Sequence, residues 1–371
     1  MENKIENKSD NQRDIRFDIL KSIGLICIIY AHIGSENNIF FHIRRFDVPL
    51  MVIVSGALYY YSASKKQISF RSYLEKRLPR LIAPVWLFLT FFFVSAYGIF
   101  TLLSQPYPFA QEKIFETFIL SVGIGYVWII RVFILVAIFS SLLMNIYIYC
   151  RTEFIFLAGL SLTYILYEIL LKLVSRVNLH SQFIAGFIND YLFYLLPYGC
   201  LFGLGMTLPK LKKRIILVTI GIFLGIFLGL AVYYYYQKGH FVSTSEFKYP
   251  ARLYYISYGI IMSLLGFLLV DKLVVKYKLL TTNNCFFKTI VFISSSSLWI
   301  YLWHIFFVYY WQNLLSKNLP EFMNRFNIDF LLVVLGAITV TYLQKKFISS
   351  LVIKNRFGQN NLDLLVLLFL K

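Results

Sequence analysis

Apolar runs of about 20 residues recur along the chain, parted by short polar segments, and each is long enough to cross a bilayer as a helix. The pattern predicts ten spans, at 17–33, 46–62, 81–103, 125–149, 154–174, 191–208, 215–236, 252–271, 289–312 and 328–348. The stretch EKIFETFILSVGI at 112–124 reads as an interfacial or re-entrant helix before the fourth span. The tail LDLLVLLFLK, 362–371, is too short to cross and is expected to lie at the membrane surface. No internal repeat and no soluble domain is visible. The expected fold is therefore all-α, a polytopic membrane helix bundle over 17–348, between polar tails at 1–16 and 349–371. The N-terminal MENKIENKSDNQRDIR lacks the apolar core and cleavage site of a signal peptide, so the first run is expected to remain as a membrane helix.

Composition agrees with the pattern: 59% of residues are hydrophobic and only 15% charged. A soluble domain of 371 residues could not bury that much apolar surface. The net charge of +18 raises nucleic acid as a partner, but its distribution excludes it. Numbering the ten spans divides the connecting segments into two alternating sets. One, which includes both tails, holds 24 lysines and arginines; the other holds 9. This bias places both termini in the cytoplasm and the chain in the cell membrane as a multi-pass protein. The four cysteines, Cys27, Cys150, Cys200 and Cys285, show no paired spacing and read as small apolar residues, with no metal expected.

Three of the lysines and arginines lie within spans and are counted in neither set: Lys21, Arg131 and Lys172. Lys21 and His32 lie eleven positions apart, nearly on one face of the first span and roughly 16 Å apart along its axis. With the orientation above, Lys21 sits toward the cytoplasm and His32 toward the outside. Arg131 falls just below the outer mouth of the fourth span and His304 in the outer half of the ninth. Glu168, in the outer half of the fifth, is expected to pair with Lys172 four residues on. Each has a bland alternative: a lone histidine on an apolar helix is commonly a packing residue, and groups near helix ends snorkel to the interface. Together, polar groups at one depth in several spans point to a polar cavity, because such residues are expensive facing lipid.

A second cluster, KKQISFRSYLEKRLPRLIAP at 65–84, carries Arg71, Lys76, Arg77 and Arg80 on the cytoplasmic side. The positive-inside bias alone accounts for some of this charge. Its end at Arg77-Leu-Pro79-Arg80 reads as a helix start, where Pro79 fits a first turn and free N–H groups attract anions. Guanidinium forks suit phosphates. A cytosolic polyphosphate and acidic lipid headgroups both satisfy this chemistry.

These residues are similar to the motifs of the membrane acyltransferase family known as acyltransferase family 3. The basic residue and histidine separated by ten positions, Lys21 and His32, resemble its opening motif. FDVPLMVIVSGALYY (46–60), KRLPRLIAPVW (76–86), GYVWIIRVFIL (125–135) and SLWIYLWHIFFV (297–308) resemble its later segments, in family order. One position departs: the family commonly has arginine where this chain has Lys21, which keeps the charge but loses the fork. The extracytoplasmic hydrolase-like domain of some relatives has no counterpart.

The resemblance implies transfer of an acyl group, acetyl above all, from cytosolic acyl-CoA to a hydroxyl of a surface polysaccharide or its lipid-linked precursor. Arg71, Lys76, Arg77 and Arg80 are then expected to hold the CoA phosphates. His32 is expected to act as general base on the acceptor hydroxyl. Arg131 or His304 is expected to stabilise the oxyanion, and Asp18 to orient Lys21. The alternative class is transport: a flippase for lipid-linked oligosaccharides or a polysaccharide exporter would also carry intramembrane charges and a cytosolic arginine cluster.

Overall fold

The computed structural model describes residues 13–33, 38–63, 70–121, 123–176, 182–277, 285–315, 326–354 and 361–370. Every regular element among them is helical. The α-helices are α1 (Ile15–Ile33), α2 (Ile39–Ile43), α3 (Asp47–Ala63), α4 (Phe70–Leu102), α5 (Gln111–Phe118), α6 (Trp128–Tyr149), α7 (Glu153–Val174) and α8 (Gln182–Phe187). They continue as α9 (Phe193–Thr207), α10 (Lys213–Lys238), α11 (Leu253–Lys276), α12 (Cys285–Ser295), α13 (Ser297–Tyr310), α14 (Phe326–Lys354) and α15 (Leu362–Leu365).

Among the described residues, 7 stretches are long and apolar enough to cross a membrane, and the pair α12–α13, bent by 77°, raises the number to 8. The chain is a multi-pass membrane protein. Two of the ten expected runs, 17–33 and 191–208, form α1 and α9, which stand apart from these eight for physical reasons. α1 carries Arg16, Asp18 and Lys21, and α9 is only 15 residues long. Both sit inside the bundle: α1 packs against α3, α11, α12 and α13, and α9 against α3, α6 and α7. Helices walled by protein tolerate charge and short length, whereas lipid-facing ones do not. α10, by contrast, buries only Ile216 and Ile220 and presents the rest of its apolar length outward.

Three local differences from the sequence pattern matter. α4 begins at Phe70, so Pro79 lies inside a continuous helix and not in its first turn. The segment before it, Phe70 to Leu78, includes strong helix formers (Leu74, Glu75, Lys76, Arg77), and a mid-helix proline forfeits one backbone bond without stopping them. The region 112–124 is the short α5 followed by a turn, with Leu120, Gly123 and Gly125 at positive φ. The Thr117 hydroxyl closes that turn by accepting from the Ile124 N–H at 3.1 Å. The C-terminal tail folds back onto α13, where Trp299 Nε1 donates to the Leu368 carbonyl at 2.9 Å and its ring stacks on Phe369.

The centre of the bundle is the contact between α3 and α9. Their backbones touch at two reciprocal glycines: a Cβ on Gly56 would fall on the Phe202 carbonyl, and one on Gly205 on the Ile53 carbonyl. In a membrane interior, where helix association relies on close packing, such small residues set the approach distance. Around this contact, Arg16 on α1 bridges Asp14 and Asp271 of α11, at 2.7 and 2.6 Å, and fixes one end of the bundle.

Replacing Gly205 with leucine is expected to force α3 from α9 and to lower the thermal midpoint of the purified protein by several degrees, since overpacking costs about 1–3 kcal/mol or more. Gly221→Leu on α10, where an added Cβ meets nothing within 4 Å, serves as the control and should leave the midpoint unchanged in a detergent melting assay.

Candidate active site

The break at Ser296 sets the site. It ends α12 and starts α13 in a new direction, and α13 then carries His304 to the heart of the protein, fully buried. His32, near the end of α1, meets it directly: His32 Nδ1 and His304 Nε2 lie 2.8 Å apart, with the rings nearly parallel. The other nitrogen of His304, Nδ1, contacts the Tyr301 carbonyl. A carbonyl only accepts, so His304 Nδ1 carries a proton and its Nε2 accepts from His32 Nδ1–H. That leaves His32 Nε2 with a free lone pair.

His32 lines a cavity of about 430 Å³, within the usual range of small-molecule sites. Its walls come from α1, α3, α6, the turn before α6 and the segment after α10. They include the aromatic residues Tyr126, Trp128, Tyr249 and Tyr301 and the charged residues Arg44, Asp47 and Lys248. The Tyr301 hydroxyl donates to the Tyr126 carbonyl and holds the turn against α13. Arg44 is buried beside Asp47, at 2.8 Å, and Asp47 also accepts from the Val48 N–H at 2.7 Å as α3 begins. Lys248 lies over the rings of Trp128 and Tyr249, 5.0 and 5.3 Å from their centres. Burial pushes the Lys248 ammonium below the ordinary lysine value; Asp47 opposes this, and Arg44 and Arg45 reinforce it.

A second cavity, of about 390 Å³, follows along the same three helices. It is lined by Lys21 of α1, by Ser55, Tyr59 and Ser62 of α3, by Phe133 and Ala137 of α6, and by Tyr73, Lys76, Arg77 and Arg80 of α4. Those four α4 positions follow the i, i+3, i+4, i+7 spacing of one helical face. No carboxylate lines this cavity. On the shared helices the nearest lining residues of the two cavities are Ile28 and Lys21, Val48 and Ser55, and Ile129 and Phe133. These separations correspond to roughly 6–10 Å of axial rise. Leu25, Met51 and Val132, all buried and apolar, lie between those positions along the three helices and mark the partition.

The sequence-predicted residues thus divide. His32 and His304 meet, and Lys21, Lys76, Arg77 and Arg80 share the second cavity. Arg71 stands apart, exposed and paired with Glu75 at 2.8 Å. Arg131 lines neither cavity: it lies under the Tyr194 ring at 4.8 Å and 3.6 Å from Asp190. Asp18 does not orient Lys21: it takes a two-pronged contact from Arg13, both prongs at 2.6 Å. Lys21 instead donates to the Ser294 carbonyl at 2.9 Å. That carbonyl is freed by the end of α12, and a cation at a helix C-terminus also meets its dipole. One carbonyl needs a point donor and not a fork, which fits lysine at this position. Glu168 accepts from the Leu253 N–H, at 2.6 Å, and from Tyr164, and is not paired with Lys172. Arg44, Asp47 and Lys248 were not singled out in the sequence. Arg44 and Lys248 sit outside the predicted spans and Asp47 at the first residue of α3, positions where charge is ordinary.

A family model described as an acyltransferase domain, that of acyltransferase family 3, matches residues 14–343. The chain belongs to this family, which suggests acyl transfer at a membrane from an acyl donor. No curated protein and no solved structure matches the chain.

Removing one partner of the Arg44–Asp47 pair strands a buried charge, at about 3–5 kcal/mol, whereas replacing both with apolar residues avoids that penalty. Asp47→Ala should therefore lower the melting temperature more than the Arg44→Met, Asp47→Leu double variant does. Equal losses would show that the pair contributes nothing specific.

Proposed function

We propose that this protein transfers an acyl group, acetyl in the first instance, from cytosolic acyl-CoA to a hydroxyl of an extracytoplasmic polysaccharide or its lipid-linked precursor. The observation that carries the reading is the pair of cavities on α1, α3 and α6, one lined by His32 with His304 hydrogen-bonded behind it and the other lined by four cations without a carboxylate. The positive-inside bias supports putting the Arg77 cavity toward the cytoplasm and the His32 cavity outside.

In this reading Lys76, Arg77 and Arg80 hold the donor's phosphates through their side chains, with Lys21 at the inner end of the same cavity. The pantetheine arm is neutral and slender, and it crosses the short partition to present its thioester near His32. His32 Nε2 takes the proton of the acceptor hydroxyl as the oxygen attacks the thioester carbonyl. The carbon–sulfur bond then breaks, the ester forms, and the proton passes from His32 to the departing thiolate. His304 holds the ring of His32 in the tautomer whose free nitrogen is Nε2 and offsets the charge His32 gains. It has no spare N–H for an oxyanion, because both its nitrogens are engaged. Arg131 acts at a distance, by holding α6 to the segment that carries Asp190 and Tyr194.

His32→Ala in proteoliposomes is expected to reduce transfer from acetyl-CoA at least 100-fold, in line with the loss of a general base, without lowering the amount of folded protein. Undiminished transfer would refute the assignment. Arg77→Ala with Arg80→Ala should raise KM for acetyl-CoA about tenfold or more while kcat changes less, the pattern for lost ground-state binding. In cells, deletion should remove alkali-labile esters from the surface glycan and leave polymer length and export intact. Loss of the polymer itself would favour the flippase or exporter class.

A further inference from the structure

Resting on the proposed acyl transfer, we infer that the acceptor bound in the His32 cavity is anionic: it carries a carboxylate or phosphate group, seated between Lys248 and Arg44, next to the hydroxyl that is acylated.

The charges in this cavity do not balance. Its lining holds two cations, Arg44 and Lys248, and one carboxylate, Asp47. Asp47 is already committed, with one oxygen on Arg44 and the other on the Val48 N–H. The acidic residue of the neighbouring segment, Glu246, is engaged by Lys238 at 2.6 Å. Lys248 therefore makes no ion pair among the described residues: Asp47 acts on it only from a distance, and the rings of Trp128 and Tyr249 lie directly against it. A half-buried ammonium held that way pays part of its desolvation with little return, a cost that an incoming anion offsets.

A second observation points the same way from the opposite wall. Arg44 is only 9% exposed, and among the described residues its buried Nε–H has no acceptor. Buried guanidinium donors are ordinarily satisfied, so this wall residue carries an unmade hydrogen bond. Arg44 and Lys248, one with an unmet hydrogen bond and the other with an unmet charge, line the same space of about 430 Å³ that His32 lines. The remaining wall is aromatic. The faces of Tyr126, Trp128 and Tyr249 suit the C–H face of a pyranose ring, which leaves the sugar's hydroxyl edge for His32 and its acidic substituent for the cations. A neutral glycan would fill the same space and satisfy neither demand.

Trp128 lies 5.0 Å from the Lys248 ammonium, so its fluorescence reports on this corner. Binding is measured in detergent without acyl donor, for wild type, Lys248→Gln and Lys248→Arg, with methyl glucuronide, glucose 1-phosphate and methyl glucoside as probes. At least one anionic probe is expected to bind wild type at least tenfold more tightly than the glucoside. Lys248→Gln should abolish that preference and Lys248→Arg should retain it. Comparison of the two anions tells whether carboxylate or phosphate is the better match. Equal binding of all three, binding of neither anion, or a preference that survives Lys248→Gln overturns the inference. Because no donor is present, anion selectivity without subsequent transfer from acetyl-CoA would instead count against acyl transfer and leave the binding site standing.

Discussion

Inside a bilayer a polar side chain must find its partners within the protein, because lipid offers none. That constraint organises this bundle. Each polar group on α1 is met by a different neighbour: Asp18 by Arg13, Lys21 by the end of α12, and His32 by His304. Arg16 adds a bridge to α11. The first helix is thus tied at three depths to other helices, to α11 by Arg16, to the end of α12 by Lys21 and to α13 by His32, and the broken pair α12–α13 takes part in two of these ties. The bend releases carbonyls that Lys21 then satisfies, and it redirects α13 so that His304 faces His32. Breaking the helix and placing the histidine are two sides of one arrangement.

The chemistry inherits this order. A histidine base needs its free nitrogen presented and its other nitrogen fixed. The chain from the Tyr301 carbonyl through His304 to His32 does both with hydrogen bonds whose direction is set at the carbonyl. On the other side of the partition, α4 contributes its cations from one continuous helical face. An anion held there, as proposed, would meet side-chain forks and ammonium groups and not a rigid helix terminus, which suits a ligand with several phosphates at different spacings.

Much of this was legible in the sequence because the membrane makes polar residues conspicuous. Lys21, His32, Arg131 and His304 stand out against apolar runs, and the cluster at 71–80 against the length of its loop. What the pattern missed, it missed for physical reasons. Hydropathy gives depth along a helix but not the direction a side chain faces, so Arg131 was grouped with the histidines although its contacts are with Tyr194 and Asp190. Pairing through backbone carbonyls leaves no trace in composition, so Lys21 was matched with Asp18 and not with Ser294. Arg44 and Lys248 lie outside the predicted spans and Asp47 at the very start of one, where charge is unremarkable, and only tertiary structure brings them to the cavity of His32. Pro79 suggested a helix start, but the residues before it favour helix strongly enough to run through it.

The thin partition of Leu25, Met51 and Val132 has an electrical consequence. Polar recesses on both sides of an apolar layer concentrate a transmembrane voltage across that layer, so most of the potential falls over roughly 6–10 Å. A charge crossing it would do work of about 2.3 kcal/mol per 100 mV, whereas a neutral group crosses without any. Under the proposed function, the reactive end of the donor's pantetheine arm is a neutral thioester and its charged phosphates stay with the cations. The acyl group would then cross the layer without moving charge, and transfer would leave the membrane potential intact.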